Sequence, residues 1–420
     1  MASALSTATV GVIGAGISAA CCVRTLAGAG ISSCVYEQGR GAGGRLATRA
    51  SRSAAFRVNH GAPAFTARSP EFIALMSELQ AEGAAERWDS VSLGSLDAAT
   101  GVSRKVEVPG LVLWRGKGEQ AGLCDHLVRS AGSEVRYGTQ VAGLGWDGER
   151  WELRGRGGEV VGRHHRLVVS GSTMAHSRWR SIYGTEPPLS GVHATWGEQH
   201  PGLGVALDAI GLVEPRPVIT VLAGWEDAGG AGGAGGAGGG EAAALLGRLL
   251  EFDLLHVEGH PVVRKLAKHH GPWGMTVAVH TTDAFAASHA GVHGHKSVVA
   301  QHVAPPRDPA AEARVRDEVW RAFEELLPLP PGGLPDGVAA QPPPAPAWGP
   351  LLHRWGSAFS DARVRLGEHA CIPAMGLSFC GDFVAPVDDA VMCHVEVAAL
   401  SGIEAGRRLA AKSLLPGSKV

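Results

Sequence analysis

The chain has 420 residues, of which 45% are hydrophobic and 19% charged, and its formal net charge at pH 7 is −2. This length and composition are typical of a globular protein with two lobes, and the small net charge gives no electrostatic reason to expect a nucleic acid or an anionic membrane surface as a partner. Apolar runs are short and interrupted by Gly, Pro or charged residues, so no membrane-spanning helix is predicted.

The first predicted strand begins at Val10, which leaves no room for a signal peptide before it and makes a cytoplasmic location the default expectation. The seven cysteines form no C-x-x-C pair and have no metal-ligand spacing. An odd number of such cysteines favours free thiols and disfavours a disulfide reductase.

Residues 10–37 show, in order, the elements of a dinucleotide-binding unit. An apolar run over 10–13 is followed by Gly14-Ala15-Gly16-Ile17-Ser18-Ala19, which matches G-x-G-x-x-G/A. Gly14 allows the tight turn, Gly16 the close approach of a pyrophosphate, and Ala19 a helix packed close to the strand. A helix ending at Gly28 or Gly30, a strand over 33–36 and the ribose-binding acid Glu37 complete the unit. An acid there argues against a 2′-phosphate, which leaves FAD or NAD.

The next twelve residues, QGRGAGGRLATR, carry a resemblance to a known family. Their glycines can bring backbone amides, and Arg45 its planar guanidinium, to an anionic ligand. The pattern E-(x)₅-G-G-R resembles the FAD-binding entry of the flavin-containing amine oxidase superfamily, and GRGAGGRLATR resembles its renalase-type branch. The resemblance implies FAD, and non-covalent binding is expected because no residue is placed by motif for a covalent link. It also implies an α/β fold: a Rossmann-like FAD-binding domain of the glutathione-reductase-2 type with an inserted α+β substrate domain.

Between residues 57 and 169 the predicted elements belong mainly to the same lobe. His60-Gly61-Ala62 resembles the renalase-type segment that returns beside the flavin, although a loop histidine bonded to backbone is the favoured interpretation of His60. Helices are predicted from Pro70 and over 121–130, and a strand over 134–141, where Val141 matches a valine that meets the adenine. Residues 143–148 also match G-x-G-x-x-G, but the strand-like ERWELR after them indicates a hairpin.

A second lobe is predicted to begin near His176. Strands are expected over 218–223, 276–280 and 297–300, a flexible Gly/Ala-rich loop over 228–240, helices over 241–252 and 314–327, and Pro-rich linkers over 328–335 and 342–350. The histidines at 289, 293 and 295 suggest a metal site. A polar loop is favoured instead because no Asp, Glu or Cys lies within the run.

The C-terminal 70 residues carry further resemblances to this superfamily. Residues 353–358 resemble its H-R-W-x-x-A segment, and a strand over 377–380 leads to Gly381-Asp382, where the aspartate would accept a hydrogen bond from a flavin-side hydroxyl. Residues 395–402 match a final V-E-x-A-x-L-S-G helix. Small residues on that helix would allow it close to the flavin ring, and its N-terminus would stabilise negative charge there.

The predicted division of the chain is 1–70, 110–175 and 351–420 for the FAD-binding domain, and 71–109 and 176–350 for the substrate domain. The cofactor-binding residues implied by the motifs are Gly14, Ala15, Gly16, Ala19, Glu37, Gly44, Arg45, Leu46, Gly61, Ala62, Val141, Gly381 and Asp382. The catalytic candidates are His60 and His280, as polar partners over the flavin face, and Arg354, as a cation beside Trp355. An ion pair between lobes is the structural alternative for Arg354.

The resemblance implies an FAD-dependent oxidoreductase that oxidises a small reduced substrate, such as an isomer of a dihydronicotinamide nucleotide, and uses O₂ as electron acceptor. Two alternatives remain open from the sequence. One is an amine oxidase that converts a small amine to an imine, and the other is a flavin-binding protein without turnover.

Overall fold

The computed structural model describes residues 6, 8–51, 56–226, 250–272, 274–294, 299–303, 307–327, 345–361, 365–385 and 392–411. The Gly/Ala-rich loop predicted over 228–240 therefore lies outside the described residues. So does the helix predicted over 241–252, except for residues 250–252, which are not helical.

The described residues contain nine α-helices, labelled α1 to α9 here: Ile17–Gly28, Pro70–Ala81, Gln120–Ser130, Arg178–Tyr183, Pro188–Trp196, Pro201–Gly211, Asp283–Ser288, Pro309–Leu326 and His394–Ala410. None of the described helices is both long and apolar enough to cross a membrane.

The strands, labelled β1 to β21, are Val10–Ile13, Ser33–Glu37, Thr48–Ala50, Arg57–Asn59, Phe65–Thr66, Ala85–Arg87, Leu93–Asp97, Val102–Lys105, Leu113–Gly116, Glu134–Tyr137, Gly143–Trp146, Trp151–Arg154, Val160–His164, Arg166–Val169, Glu214–Trp225, Leu254–Glu258, Val263–Gly271, Gly274–Thr281, Trp348–Asp361, Cys371–Ile372 and Leu377–Phe379.

The first sheet has the strand order β10-β2-β1-β14-β21-β20 and is parallel except for its last strand, β20. Its central strands are buried apolar runs, as expected for a parallel sheet covered on both faces. Strand β1 pairs with β2 on one side and with β14 on the other. The strand order therefore reverses at β1: β2 and β10 lie to one side of it, and β14 and β21 to the other. Ligands bind at such a switch point, beyond the carboxyl ends of the strands. The predicted α/β Rossmann-like fold is confirmed.

The second sheet has the order β19-β15-β18-β17-β16-β7-β8 and is antiparallel apart from the β16–β7 pair. One face of this sheet packs on α8 through an apolar cluster that includes Val221, Val279 and Phe323. The other face turns toward the first lobe. Strands β7 and β8 come from the predicted substrate-domain segment 71–109. Strand β19 also belongs to this sheet, so the structure places residues 351–361 with it and not with the predicted segment 351–420.

Helix α9 lies tightly against α1. A Cβ at Gly402 would collide with the backbone carbonyl of Ser18, and one at Gly406 would lie 2.7 Å from the Cβ of Thr25. The glycines of the final helix therefore serve its packing on the dinucleotide-binding helix. Ala398, on another face, is the small residue of this motif that reaches the cleft described below.

Several predicted boundaries change for local reasons. Residues 299–301 form a 3₁₀ turn where a strand over 297–300 was predicted, and residues 297–298 lie outside the described part of the chain. Helix α8 begins at Pro309 instead of 314, because Asp308 accepts hydrogen bonds from Ala310 N and Ala311 N and proline suits the first helical position. Strand β19 starts at Trp348, inside the predicted linker 342–350. The predicted hairpin at 143–148 is confirmed by the antiparallel pair β11–β12.

Candidate functional site

Among the described residues, a large cleft lies between the two sheets. It has a volume of about 1710 Å³ and runs from the carboxyl ends of β1, β2, β14 and β21 to the inward face of the second sheet. Pockets for drug-sized ligands measure roughly 300–1,000 Å³, so this cleft has room for a dinucleotide and a second small molecule.

Most of the predicted site residues line this one cleft. Those in its wall are Gly14, Ala15, Gly16, Glu37, Gly44, Arg45, Leu46, Gly61, Ala62, Val141, His280, Arg354 and Asp382. Three predicted residues lie behind the wall. Ala19 is buried in α1, Gly381 is in the turn before Asp382, and His60 is in the layer beneath.

At the dinucleotide end, the glycines of the motif have different surroundings. Gly14 has a φ of 101°, and a Cβ there would collide with the Ser170 hydroxyl. At Gly16 a Cβ would enter open space, since its nearest neighbours would be 4.0 Å away at Gly43 and Gly44. The space left by Gly16 is the cradle that a pyrophosphate requires.

Glu37 closes this end of the cleft. Its carboxylate accepts hydrogen bonds from Ala15 N at 2.8 Å and Gly39 N at 2.5 Å. Burial raises the pKa of Glu37, and the two backbone N–H donors offset part of that rise. The side chain is thus held at the carboxyl end of β2, beside the glycine turn, where a ribose diol is expected.

Two helix N-termini contribute to the cleft without a side-chain cap. Gly16 precedes α1 and Cys393 precedes α9, and neither provides a side chain that binds the first backbone N–H groups. Residues of both first turns, Ile17 and Ser18 in one and His394 and Val395 in the other, line the cleft. Uncapped N–H groups and the positive end of the helix dipole form an anion-binding arrangement. Together with the Gly16 cradle, they fit the phosphates of FAD and the electron-rich edge of its flavin ring.

The centre of the cleft contains an ion pair that sequence reasoning did not predict. Arg45 Nη1 and Nη2 each lie 2.6 Å from one carboxylate oxygen of Asp382, whose side chain is 1% exposed. His394 Nδ1 lies 2.9 Å from Asp382 Oδ2. Burial alone would raise the pKa of Asp382, but Arg45 and His394 hold it well below its usual range. The predicted flavin contact of Asp382 and phosphate contact of Arg45 remain predictions.

His60 belongs to a packed group of three rings. Its imidazole centroid is 4.8 Å from that of His353 and 4.9 Å from that of Trp355, and Trp355 Nε1 donates to the His60 carbonyl oxygen at 3.0 Å. Gly61 must be glycine here, because a Cβ would collide with the Arg45 carbonyl. This packing favours a structural role for His60 over that of a side chain exposed to substrate.

A row of polar residues crosses the inward face of the second sheet. Strand register places His353 opposite Thr220, Thr220 opposite His280, His280 opposite Lys265, and Lys265 opposite His256. His280, Lys265 and His256 line the cleft. Single-sequence reasoning identified only His280, because the other members come together through pairing of distant strands.

The buried members of this row are uncharged near neutral pH. Burial, and then the charge on Lys265, lower the pKa of His280. In the layer beneath the cleft wall, burial and the charge on Arg49 lower the pKa of His60 to about 3. Burial and the neighbouring Arg264 lower the pKa of Lys265 to about 8. The face therefore offers neutral imidazoles as hydrogen-bonding groups and Lys265 as a cation. His280 Nε2 and Thr220 Oγ1 have no hydrogen-bond partner among the described residues.

Arg354 lines the cleft and has no ion pair with any described carboxylate. Its Nη2 makes one long contact, 3.5 Å, to the Ala286 carbonyl, and its buried Nε has no partner. The inter-lobe ion pair considered for Arg354 is therefore not formed by the described residues.

Glu396, in the first turn of α9, has a structural function that the sequence did not predict. It is fully buried and accepts hydrogen bonds from Arg68 N and Ser69 N, which lead into α2. Its partners lie more than 300 residues away in the chain, so no local signal could have identified them.

No group of three or more described His, Cys, Asp or Glu side chains could hold a metal ion. Of the three histidines considered for a metal, His289 and His293 line the cleft, and residue 295 lies outside the described part of the chain.

Comparison with sequence families matches residues 12–79 to the NAD(P)-binding Rossmann-like domain. Comparison with curated proteins found no match. Among solved structures, wild-type putrescine oxidase bound to putrescine has a TM-score of 0.54 at 13% identity, covering 96% of this chain and 99% of that chain. A structure described as a protoporphyrinogen oxidase from Exiguobacterium sp. 255-15 has a TM-score of 0.55 at 11% identity, covering 97% of this chain and 99% of that chain. An oxidoreductase from Methanosarcina mazei has a TM-score of 0.54 at 11% identity, covering 94% of this chain and 99% of that chain. At these identities the likeness shows the shared fold.

The buried neutral state of His60 predicts a pH dependence of stability. Below about pH 6.5 the unfolded chain binds a proton at His60, whereas the folded chain excludes it down to about pH 3, so the free energy of unfolding falls as the pH is lowered through that window. One such group contributes about 2 kcal/mol to the loss between pH 7 and pH 5. Urea unfolding at pH 7 and at pH 5 should show that the free energy of unfolding falls less in His60→Gln than in the parent. The difference between the two drops should be about this amount. Equal losses in the two proteins would contradict the burial of a neutral imidazole.

Proposed function

We propose that this protein is an FAD-dependent oxidoreductase of the renalase type. It would oxidise a small reduced substrate, such as an isomer of a dihydronicotinamide nucleotide, with O₂ as the electron acceptor. The observation that carries the proposal is the continuity of the cleft. The dinucleotide motif, the Arg45–Asp382 pair and the start of α9 form one end, and the polar row of the second sheet faces them.

The residues present fit FAD in three places. The cradle at Gly16 and the uncapped start of α1 suit the pyrophosphate, and Glu37 suits the adenosine ribose. The uncapped start of α9 suits the electron-rich edge of the flavin ring. No residue is placed by motif for a covalent link, so the cofactor is proposed to be non-covalent.

FAD, when bound, supplies the hydride acceptor. The protein binds the cofactor and the substrate, orients them, and tunes the flavin ring electrostatically. In this proposal His280 offers a neutral imidazole to the substrate, and Lys265 keeps a positive charge beside it below about pH 8. Arg354 supplies a permanent cation at the wall. Asp382, held ionised by Arg45 and His394, fixes these two side chains at the cofactor end of the cleft.

Amine oxidation is the second candidate, because the fold is shared with a putrescine oxidase that was solved with putrescine bound. The charges in the cleft argue against a cationic amine. Arg354 has no carboxylate partner among the described residues, and Lys265 stands on the facing sheet. Both groups would repel an ammonium ion.

Purified protein is expected to be yellow and to release FAD on heating or acid treatment. Glu37→Ala removes the acceptor for Ala15 N, Gly39 N and the ribose, so it should lower the FAD content after gel filtration by at least about tenfold while the protein stays folded. Glu107→Ala, on an exposed side chain away from the cleft, is the matched control and should keep its FAD. A colourless protein that takes up NAD, or a Glu37→Ala variant as yellow as the parent, would contradict the assignment.

The substrate class can be read from flavin bleaching under anaerobic conditions. Reduced nicotinamide nucleotide isomers are expected to bleach the bound flavin, and primary and secondary diamines are not, because the cleft wall is cationic. Bleaching by amines alone would favour the second candidate. Bleaching by neither group would favour a flavin-binding protein without turnover.

A further inference from the structure

Two arginines from distant parts of the chain meet at one point of the cleft. Arg178 is the first residue of α4, and Arg354 lies in β19. Both line the cleft. A Cβ built at Gly356 would lie 2.8 Å from Arg178 Nη2 and 3.2 Å from Arg354 Nη1, so both nitrogens lie within 3.2 Å of one point. The glycine at this position leaves room for the two guanidinium groups to face the same space.

Neither guanidinium group is neutralised by the described residues. No carboxylate among them forms an ion pair with Arg178 or Arg354, and Arg354 Nε is buried without a hydrogen-bond partner. Glu312 is already held by Arg307 and by His293 N and Gly294 N. The two acids at the cofactor end are also occupied, Glu37 by backbone N–H groups and Asp382 by Arg45.

Two unpaired like charges in a partly enclosed space carry an electrostatic cost. Burial, and then the charge on Arg354, lower the pKa of Arg178 to about 10, and burial lowers that of Arg354. Both groups still stay protonated at neutral pH. An anion between them would relieve their mutual repulsion and occupy the unused donors, and planar guanidinium groups bind the oxygens of a carboxylate or phosphate in pairs.

We propose that Arg178 and Arg354 form a subsite that binds an acidic group of the substrate, a carboxylate or a phosphate. This subsite makes the cleft selective for anionic substrates over cationic amines. The identification of the ligand as substrate rests on the proposed function, whereas the binding of an anion by this arginine pair does not.

The test measures the affinity of the purified protein, with whatever cofactor it carries, for sodium phosphate and for sodium propionate, with sodium chloride as the reference at equal ionic strength. Trp179 and Trp355 lie next in sequence to the two arginines, so intrinsic tryptophan fluorescence is a suitable readout. The variants are Arg178→Gln, Arg354→Gln and Arg354→Lys. Arg314→Gln is the matched control, since Arg314 also lines the cleft but has Asp308 at 3.9 Å.

The parent and Arg314→Gln are expected to bind at least one of the two anions in preference to chloride. Each Gln variant should bind that anion about tenfold more weakly, the typical effect of losing a charge-assisted hydrogen bond. The affinity of Arg354→Lys for the anion should lie between those of the parent and the Gln variants, because lysine keeps the charge but lacks the planar guanidinium group. Preference for phosphate or for propionate identifies which acidic group the pair takes.

Equal binding in all variants would overturn the proposal, because the anion would then bind away from the two arginines. No binding beyond that of chloride would overturn it as well. The FAD content, measured on the same samples, reports separately on the proposed function, because a colourless protein can still show the arginine-dependent anion site. Urea unfolding of each variant separates a lost site from a lost fold.

Discussion

The ion pair between Arg45 and Asp382 joins the two ends of the chain, since its members are 337 positions apart. Arg45 belongs to the glycine-rich turn after β2, and Asp382 follows the strand β21. With His394 as a third partner, the pair also fixes the start of the last helix, α9. Breaking it would leave the nearly fully buried carboxylate of Asp382 without its main partner, a change that costs about 3–5 kcal/mol. The shape of the cofactor end of the cleft depends on this contact.

The two sides of the cleft have different chemistry. The Rossmann side presents backbone N–H groups, glycines and the Arg45–Asp382 ion pair, in which the two charges neutralise each other. The second sheet presents neutral imidazoles, Lys265 and Arg354, and Arg178 faces the same space from the start of α4. Free positive charge is therefore concentrated on the side where a substrate would bind, which is what distinguishes this cleft from one built for an amine.

Local signals in the sequence were sufficient for the dinucleotide unit. The glycine spacing, the β-branched strand and Glu37 act over a few residues, and the structure contains strand, turn, helix and strand in the predicted order. The start of α2 at Pro70 and the hairpin after Gly143 are local in the same way. Sequence reasoning missed Arg178, Lys265, His394 and Glu396, because their neighbours at the site come together only through strand register and helix packing. Chain positions hundreds of residues apart carry no spacing signal for such contacts.

A double-mutant cycle at Arg45 and Asp382 tests the central claim most directly. The free energy of unfolding and the FAD content are measured for the parent, Arg45→Met, Asp382→Asn and the double variant. If the pair holds the cofactor end together, each single variant loses about 3 kcal/mol and most of its FAD. The double variant then loses no more than about 1 kcal/mol beyond the worse single variant. Losses that simply add, with FAD retained in both single variants, would contradict the account.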